Sequence, residues 1–408
     1  MRTLALALLL AGCPKGSSDD STPVDTQPTE TSCDPGTWAG WDIPLDPQGP
    51  LTQIHPSVAW DGEGLWSAWA RPDTEGVHFD IWAGRLSPEG DTLVQPFQLN
   101  NGGTNDGYPR MAVAGERVVV AWQADNMSGA NNLDVLVRGF DRDGDAKDEA
   151  PTTVQPTIDG SPLTGNGWMP ALAPDPSGGF LLAGAFAAPG AQAFQAVMQG
   201  LDSSGAPTGA GTLPALSAAD SQVYPAVAVA PDGRRFMAWE AWPAQGDKLV
   251  QLSLDGGAPI SLGEGSDAGL PSVAVDGGGT AWLVWYEELG GEYDLQVRAG
   301  DLGGSPAAAV LGIPGRIEHT PMVLASDEGA LVAWMRVISG YQAELVVQPV
   351  HLEGGAIVAG TEQVLDTETP VAPYLPGLTW LCDDVWFVVW VEGNSPDYVV
   401  KGRFVHAG

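Results

Sequence analysis

Short runs of apolar residues alternate with glycine-rich turns along most of this chain. Residues 272–285 contain two such runs around the turn at 276–279, and residues 294–311 contain two more. Short segments rich in Val, Ala, Leu and Trp, separated by Asp-Gly or Gly-Gly turns, are typical of β-hairpins rather than helices. The pattern therefore predicts a unit of four strands.

The four-stranded unit occurs seven times, and each copy opens on a proline. In six copies a tryptophan follows after 13 or 14 residues, whereas the third copy has Phe186 in that region. Successive prolines lie 46 to 61 residues apart, and a recurrence of this size marks a repeat architecture. The prolines are Pro56, Pro109, Pro170, Pro225, Pro271, Pro321 and Pro376, and the tryptophans are Trp69, Trp122, Trp239, Trp285, Trp334 and Trp390.

Seven four-stranded sheets arranged radially form a β-propeller, a fold that leaves only short strand edges. We therefore predict an all-β protein with a seven-bladed β-propeller over residues 38–408. The seventh copy supplies only three predicted strands, so we expect the strand at residues 41–45 to complete the last blade and close the ring. We expect a tryptophan that recurs once per blade to pack between neighbouring sheets.

The first residues of the chain have the features of a secretory signal. One arginine precedes an apolar run that is shorter than the ~20 residues needed to span a bilayer. Leu10-Ala11-Gly12-Cys13 resembles a bacterial lipobox. The resemblance implies removal of residues 1–12, a diacylglycerol on the Cys13 thiol and an outer-membrane lipoprotein of the bacterial cell envelope. The alternative is an ordinary signal peptide with an incidental cysteine.

Residues 13–37 are rich in Ser, Thr, Asp and Pro and contain almost no large apolar side chain. Such a segment buries too little surface to offset the entropy of ordering, so we predict a flexible tether. Beyond it, the repeats form a looser resemblance to secreted bacterial proteins built from Pro-x-Val-Ala, Asp-Gly and Ala-Trp elements. That resemblance implies a propeller and says little about activity.

The charge of the chain excludes two classes of partner. It has 17 basic and 51 acidic residues, for a net charge of -34. Nucleic acids and anionic membrane surfaces require dense Lys and Arg, so neither is expected to bind, and contact with a membrane is expected only through the lipid anchor. A protein or a glycan at the cell surface is the expected partner.

Strand direction predicts which loops share a face of the disc. The loops between second and third strands, together with the connections between blades, share one face, here called the loop face; the opposite side is the turn face. The loop face includes residues 70–79, 157–169 and 263–270. Loops on a rigid scaffold are where binding usually occurs. The candidate ligand residues on this face are Trp168, Trp242, Arg110, Tyr224, Glu240, Glu287, Glu318 and His319.

No metal or other cofactor is predicted. The acidic run at residues 141–145 resembles a calcium loop in its carboxylates, but its glycine is fourth rather than sixth, so a plain hairpin turn is favoured. No nucleophile elbow, phosphate loop or zinc-binding helix motif occurs. Calcium stays a possibility without support from the pattern.

Two functions fit these features. The first is an envelope-anchored scaffold that binds a protein or glycan through a broad, aromatic-bearing loop face. The alternative is a carbohydrate-active enzyme, a glycoside hydrolase or a lyase, with a deep axial site at the loop face. A purely structural envelope component would need neither feature. The sequence favours the scaffold. An enzyme needs catalytic groups that meet at one point, and nothing in the sequence determines which of the charged loop residues do so.

Cys33 and Cys382 are both predicted on the turn face of the seventh blade, and an oxidising envelope would favour a disulfide between them. The alternative is two unpaired thiols. The bond would close a loop of 349 residues (382 minus 33), which corresponds to a stabilisation of about 5 to 6 kcal/mol on the chain-entropy model.

We predict that the domain from Cys33 onward gains two hydrogens on reduction, and that Cys382→Ser unfolds at a lower urea concentration than the oxidised wild type. Intact mass spectrometry with and without reductant measures the first, and urea denaturation the second. Two alkylatable thiols in the unreduced protein would contradict the disulfide.

Overall fold

The computed structural model describes most of the predicted propeller, and every structural statement below concerns the residues it describes. Cys13 and Cys33 lie outside them, so the lipobox, the tether and the disulfide stay predictions. The described ranges are residues 42–46, 52–125, 133–145, 150–188, 190–191, 193–214, 221–263, 266–339, 342–370, 375–394 and 397–407.

Every regular element in these ranges is a β-strand. The chain begins with β1 (Ile43–Pro44), and the first three blades follow, with a small hairpin between the second and third. Blade I contains β2 (Ile54–Trp60), β3 (Leu65–Pro72), β4 (Phe79–Leu86) and β5 (Thr92–Gln98). Blade II contains β6 (Asn105–Ala114), β7 (Arg117–Asp125), β8 (Leu133–Asp141) and β9 (Thr152–Thr153), and the hairpin is β10 (Thr157–Ile158) and β11 (Ser161–Pro162). Blade III contains β12 (Gly167–Asp175), β13 (Gly179–Phe186), β14 (Gln195–Leu201) and β15 (Pro207–Thr212).

The remaining four blades repeat the same arrangement. Blade IV contains β16 (Ser221–Val229), β17 (Arg235–Trp242), β18 (Leu249–Leu254) and β19 (Ile260–Leu262). Blade V contains β20 (Ser266–Val275), β21 (Ala281–Leu289), β22 (Glu292–Gly300) and β23 (Ala307–Leu311). Blade VI contains β24 (Ile317–Ser326), β25 (Gly329–Val337), β26 (Gln342–Glu353), β27 (Ala356–Ala359) and β28 (Gln363–Pro370). Blade VII contains β29 (Gly377–Cys382), β30 (Val385–Asn394) and β31 (Asp397–His406), together with β1.

Each blade is an antiparallel sheet, and in blades I to VI the strands follow one another in chain order. Blade VI departs from the four-strand pattern, because β27 and β28 pair with successive parts of the same strand, β26. The first strand of every blade lines a central channel. The structure thus confirms the predicted seven-bladed β-propeller.

The N-terminal strand closes the ring, as predicted. In β1, Ile43 pairs with Gly402 and Pro44 with Lys401 of β31. Leu45 continues the pairing, since its N–H donates to the Val400 carbonyl at 3.2 Å. The first strand in the described part of the chain therefore joins the last blade and completes its four-stranded sheet.

The recurrent tryptophans pack between blades. Trp122 of blade II is fully buried against Ala68 and Ile81 of blade I. In blade III, where the tryptophan is missing, Phe186 is buried against Val119 of blade II. The series therefore forms the core between neighbouring sheets, which leaves these residues unable to meet a ligand.

The acidic run at residues 141–145 forms a turn. The Asp141 carboxylate accepts hydrogen bonds from the backbone N–H groups of Asp143 and Asp145 at 3.1 and 2.9 Å. Asp202 caps the corresponding turn of blade III in the same way. Within the described ranges, no group of three or more His, Cys, Asp or Glu side chains is arranged to hold a metal ion, and no helix is long and apolar enough to cross a membrane.

A bulge recurs in the first strand of six blades, at the residue before the repeat proline. The pairing register shifts there, for example between Val223 and Ala226. The residue before the proline has φ between 47° and 54° in each case, which costs a non-glycine residue about 1–2 kcal/mol. Bulges bend a strand and re-aim its side chains. The six residues are His55, Tyr108, Met169, Tyr224, Leu270 and Thr320.

Replacing Arg336 with alanine should destabilise the propeller by about 3–5 kcal/mol, because Glu318 would stay buried without its cation. Arg336 Nε lies 2.9 Å from Glu318 Oε1, and these side chains are 5% and 0% exposed. Urea denaturation followed by tryptophan fluorescence measures the loss. Arg234→Ala is the matched control, since Arg234 pairs with Asp232 in the solvent, and it should change little. Equal losses in both variants would contradict this account.

Candidate functional site

The central channel has a volume of about 390 Å³ and runs along the first strands of all seven blades, from the loop face, where these strands begin, toward the turn face. Its lining at the loop-face end includes four of the bulge residues with positive φ, Tyr108, Met169, Tyr224 and Leu270. Polar side chains from blades I to VI gather around this opening, and we call them the mouth cluster. The mouth cluster consists of His55, Tyr108, Arg110, Trp168, Tyr224, Glu240, Trp242, Lys248, Asp267, Tyr286, Tyr293 and His319.

Arg110 is the cation on the first wall of the mouth. It lies in β6 and lines the channel, and its Nη1 donates to the Pro109 carbonyl at 3.0 Å. Within the described ranges it makes no ion pair, whereas Arg71 and Arg336 are paired with Asp46 and with Glu318. Burial lowers the pKa of Arg110 to about 10, so the guanidinium stays charged at neutral pH. The mouth therefore contains a positive charge that no carboxylate in the described ranges neutralises.

An imidazole and a phenol stack beside this guanidinium. The rings of His55 and Tyr108 lie 3.8 Å apart at an angle of 27°. Burial, with the charge of Arg110, lowers the pKa of His55 to about 3, and burial raises the pKa of Tyr108. Gly107 allows the close approach, since a Cβ there would lie 3.3 Å from His55 Nδ1. At neutral pH both rings are uncharged.

Lys248 organises the opposite wall. Its Nζ donates to the Tyr286 hydroxyl at 3.0 Å and lies 3.0 Å from Asp267 Oδ1 and 3.6 Å from Glu240 Oε1. Burial opposes its charge, but these hydrogen bonds prevail and raise its pKa well above the ordinary value. The Tyr293 hydroxyl donates to Asp267 Oδ2 at 2.8 Å. Unlike Arg110, Lys248 is already neutralised by the protein.

Glu240 is buried at the centre of this wall. Its carboxylate accepts from Trp242 Nε1 at 2.6 Å and from the Leu270 N–H at 3.1 Å, in addition to its ion pair with Lys248. Burial raises its pKa. The side chain is only 2% exposed and does not line the channel. Gly269 leaves room for it, since a Cβ there would lie 2.4 Å from Glu240 Oε2.

His319 extends the wall to blade VI. Its ring stacks on Tyr286 with centroids 4.5 Å apart and an angle of 20°. Burial, with the charge of Lys248, lowers its pKa to about 4. The Nδ1 atom is buried without a hydrogen-bond partner among the described residues. His319 is thus a neutral imidazole with an unused nitrogen.

Two aromatic residues connect the walls. Trp168 packs on Phe194 and Tyr224 with ring centroids 5.6 and 5.4 Å apart. Burial raises the pKa of Tyr224, and the charges of Glu240 and Tyr108 add to the increase. Tyr224 therefore interacts electrostatically with groups on both sides of the mouth.

Six of the eight residues predicted on the loop face belong to the mouth cluster. The other two lie inside their blades, where their carboxylates hold indole N–H groups. Glu287 accepts from Trp285 at 3.1 Å and is 2% exposed. Glu318 accepts from Trp334 and pairs with Arg336. Both serve the packing of a blade, and neither reaches the mouth. The six are Arg110, Trp168, Tyr224, Glu240, Trp242 and His319.

Several members of the mouth cluster were not among the predicted site residues. For two of them the sequence did contain a signal, because the position before the repeat proline is the one that the bulge directs to the mouth. His55 and Tyr108 occupy that position, as Tyr224 does. No sequence signal identifies Lys248, Tyr286 and Tyr293, because only the contact between blades IV and V brings them together.

The arrangement combines a free cation with neutral proton-exchanging groups. A guanidinium can bind a carboxylate through two parallel hydrogen bonds. Imidazoles and phenols that are neutral at pH 7 can accept or donate a proton at a bound molecule. The site's two carboxylates, on Glu240 and Asp267, are already held by Lys248.

No protein-family model and no curated protein matches the chain. Among solved structures, the fold is similar to that of a protein of unknown function from Dyadobacter fermentans (13% identity, TM-score 0.56, 90% of this chain and 97% of that chain). It is also similar to a polysaccharide lyase, an ulvan lyase bound to -[GlcA(1-4)Rha3S]- (13% identity, TM-score 0.58, 90% and 96%). A third similar structure is the α-L-arabinofuranosidase of Fusarium graminearum with arabinobiose (14% identity, TM-score 0.50, 90% and 96%). At these identities the similarity shows the propeller fold alone.

Proposed function

We propose that this protein is a carbohydrate-active enzyme that binds a uronate-containing glycan at the channel mouth and cleaves it by β-elimination. The observation that carries the proposal is Arg110, a guanidinium in the channel wall without a carboxylate partner among the described residues. A protein with a net charge of -34 has carboxylates in excess, yet none of those described neutralises this cation. An acidic ligand supplies the missing partner.

Elimination suits the mouth cluster better than hydrolysis does. Glycoside hydrolysis needs two carboxyl groups flanking the scissile bond. Glu240 is 2% exposed and its oxygens are occupied, and Asp267 is held by Lys248 and Tyr293. Elimination needs instead a cation at the substrate carboxylate and groups that move a proton. Arg110, His55 and Tyr108 provide these next to one another.

In the proposed step, Arg110 binds the uronate carboxylate and neutralises its negative charge. A base removes the proton from the carbon beside the carboxylate, and that electron pair forms a carbon–carbon double bond. The glycosidic C–O bond on the next carbon breaks, and the leaving oxygen takes a proton from an acid. We assign proton removal to the phenolate form of Tyr108, which the charge of Arg110 favours, and protonation of the leaving oxygen to the Tyr224 hydroxyl.

Two further lines of support are consistent with this proposal. Solved propellers with a similar fold include a polysaccharide lyase bound to a glucuronate-containing unit. The predicted export signal would place the enzyme outside the cytoplasm, where polymeric glycans are found. The binding part of the scaffold hypothesis is retained, with an acidic glycan as the partner. A site in the channel mouth replaces the broad, shallow face that the hypothesis expected.

We predict that the purified domain acts on a uronate polysaccharide with a rise in ultraviolet absorbance, because elimination creates a double bond conjugated to the carboxylate. Arg110→Ala should lower kcat/KM by roughly 100-fold or more, the typical loss when one charge-stabilising donor is removed. Arg110→Lys should retain part of the activity, since it keeps the charge but loses bidentate geometry.

Arg234→Ala on the turn face is the matched control and should leave kcat/KM unchanged. New reducing ends without ultraviolet absorbance would show hydrolysis and sink the proposal. So would an Arg110→Ala variant as active as the wild type.

The two mouth histidines should titrate far below an ordinary histidine, with midpoints of about 3 for His55 and about 4 for His319, because burial disfavours their charged forms. Their folded-state pKa values lie below the unfolded value of 6.5, so the unfolded chain binds more protons between about pH 4 and 6.5. These residues therefore make stability fall as the pH is lowered through that window. NMR titration of the imidazole protons in wild type, His55→Phe and His319→Phe measures the midpoints. Midpoints near 6.5 would contradict the neutral, buried state.

A further inference from the structure

We infer that Trp242 is a sugar-stacking platform, a second subsite that binds the glycan chain beyond the residue held at Arg110. The inference rests on the proposed function and specifies how that site would hold a polymer. Trp242 ends β17 at the loop face and is 41% exposed, whereas the repeat tryptophans are fully buried. Tryptophan is among the residues most enriched at binding hot spots.

The platform is held rigidly. Trp242 Nε1 donates to Glu240 Oε1 at 2.6 Å, and Glu240 is itself fixed by the Leu270 N–H and by Lys248. The buried carboxylate therefore acts as a positioning residue for the indole. An exposed ring that is already ordered loses little conformational freedom when a ligand stacks on it, and preorganisation of this kind favours affinity.

The platform also lies next to the mouth. Glu240 and Trp242 are alternate residues of β17, so their side chains project from the same side of the strand. That side faces blade V, because Glu240 accepts from Leu270. Leu270 lines the channel. A glycan that places one uronate at Arg110 can therefore continue outward between blades IV and V and reach the indole.

The chemistry of the two subsites differs. Arg110 recognises a charge, whereas an indole face contacts the C–H face of a sugar ring and accepts neutral or acidic residues alike. Because the indole N–H is engaged by Glu240, the ring offers the ligand its face rather than a donor. The structure thus points to a polymer with a uronate at one position. Farther along the polymer, the sugar at Trp242 can be either neutral or acidic.

The test compares the kinetics of wild type and Trp242→Ala on a uronate polysaccharide and on the shortest oligosaccharide that the wild type cleaves. Trp242→Ala should raise KM for the polymer about tenfold, a factor equivalent to about 1.4 kcal/mol. It should leave KM for the short substrate, and kcat for both, nearly unchanged. Trp242→Phe should keep most of the polymer affinity. An unchanged polymer KM, or an equal rise for both substrates, would overturn the subsite.

Trp380→Ala is the matched control. Trp380 is half-buried on the turn face, and its indole N–H donates to the Asp383 carbonyl at 2.9 Å, so the change removes an equally anchored ring far from the mouth. Its kinetics should match those of the wild type.

Electrophoresis through a gel containing the polysaccharide separates the two proposals. If the gel retards the wild type but not Trp242→Ala, and neither protein cleaves the polysaccharide, the result would support the subsite and reject the elimination reaction. Cleavage by both proteins with equal retardation would reject only the subsite, and neither cleavage nor retardation by wild type would reject both.

Discussion

The bend at the start of each first strand is the constraint on which the site depends. Seven first strands converge on one axis, and a straight strand would leave its side chains alternating between the two faces of its own sheet. In six blades a bulge with a positive φ before the repeat proline interrupts that alternation, and in four of them the residue at the bulge lines the channel. Because the proline fixes its own φ and lacks an N–H, the position can be irregular without losing a ladder hydrogen bond at that residue. The same backbone device can therefore present His, Tyr, Met, Leu or Thr in different blades.

Electrostatics then decides what the mouth can bind. The chain is strongly acidic, but at physiological ionic strength charges more than about 8 Å apart are largely screened. A ligand in the mouth therefore interacts mainly with the charged side chains nearest to it. Lys248 is neutralised by Asp267 and Glu240, while Arg110 has no such partner in the described part of the chain. The burial that lowers the pKa of Arg110 also strengthens its interaction with an incoming carboxylate, because that exchange takes place away from bulk water.

The sequence predicts the fold far better than the site. Proline and tryptophan spacing defines the seven blades and the closing strand because each blade must bury the same face in the same way. The repeat pattern also separates the buried Trp239 from the exposed Trp242. It cannot separate Glu240, which anchors the platform, from Glu318, which pairs with Arg336, because both are single acidic residues near loop ends. The network of Lys248, Tyr286 and His319 joins blades IV, V and VI across 71 positions (319 minus 248), and only the closed ring brings them together.

If the mouth recognises the carboxylate of its ligand, then removing that charge from the ligand must weaken binding. Isothermal titration calorimetry can compare a uronate oligosaccharide with the same oligosaccharide after its carboxylates are reduced to alcohols, at equal ionic strength. We predict measurable binding of the acidic form and at least a tenfold weaker affinity for the reduced form, since only the acidic form can pair with Arg110. Equal affinity for both forms would contradict it.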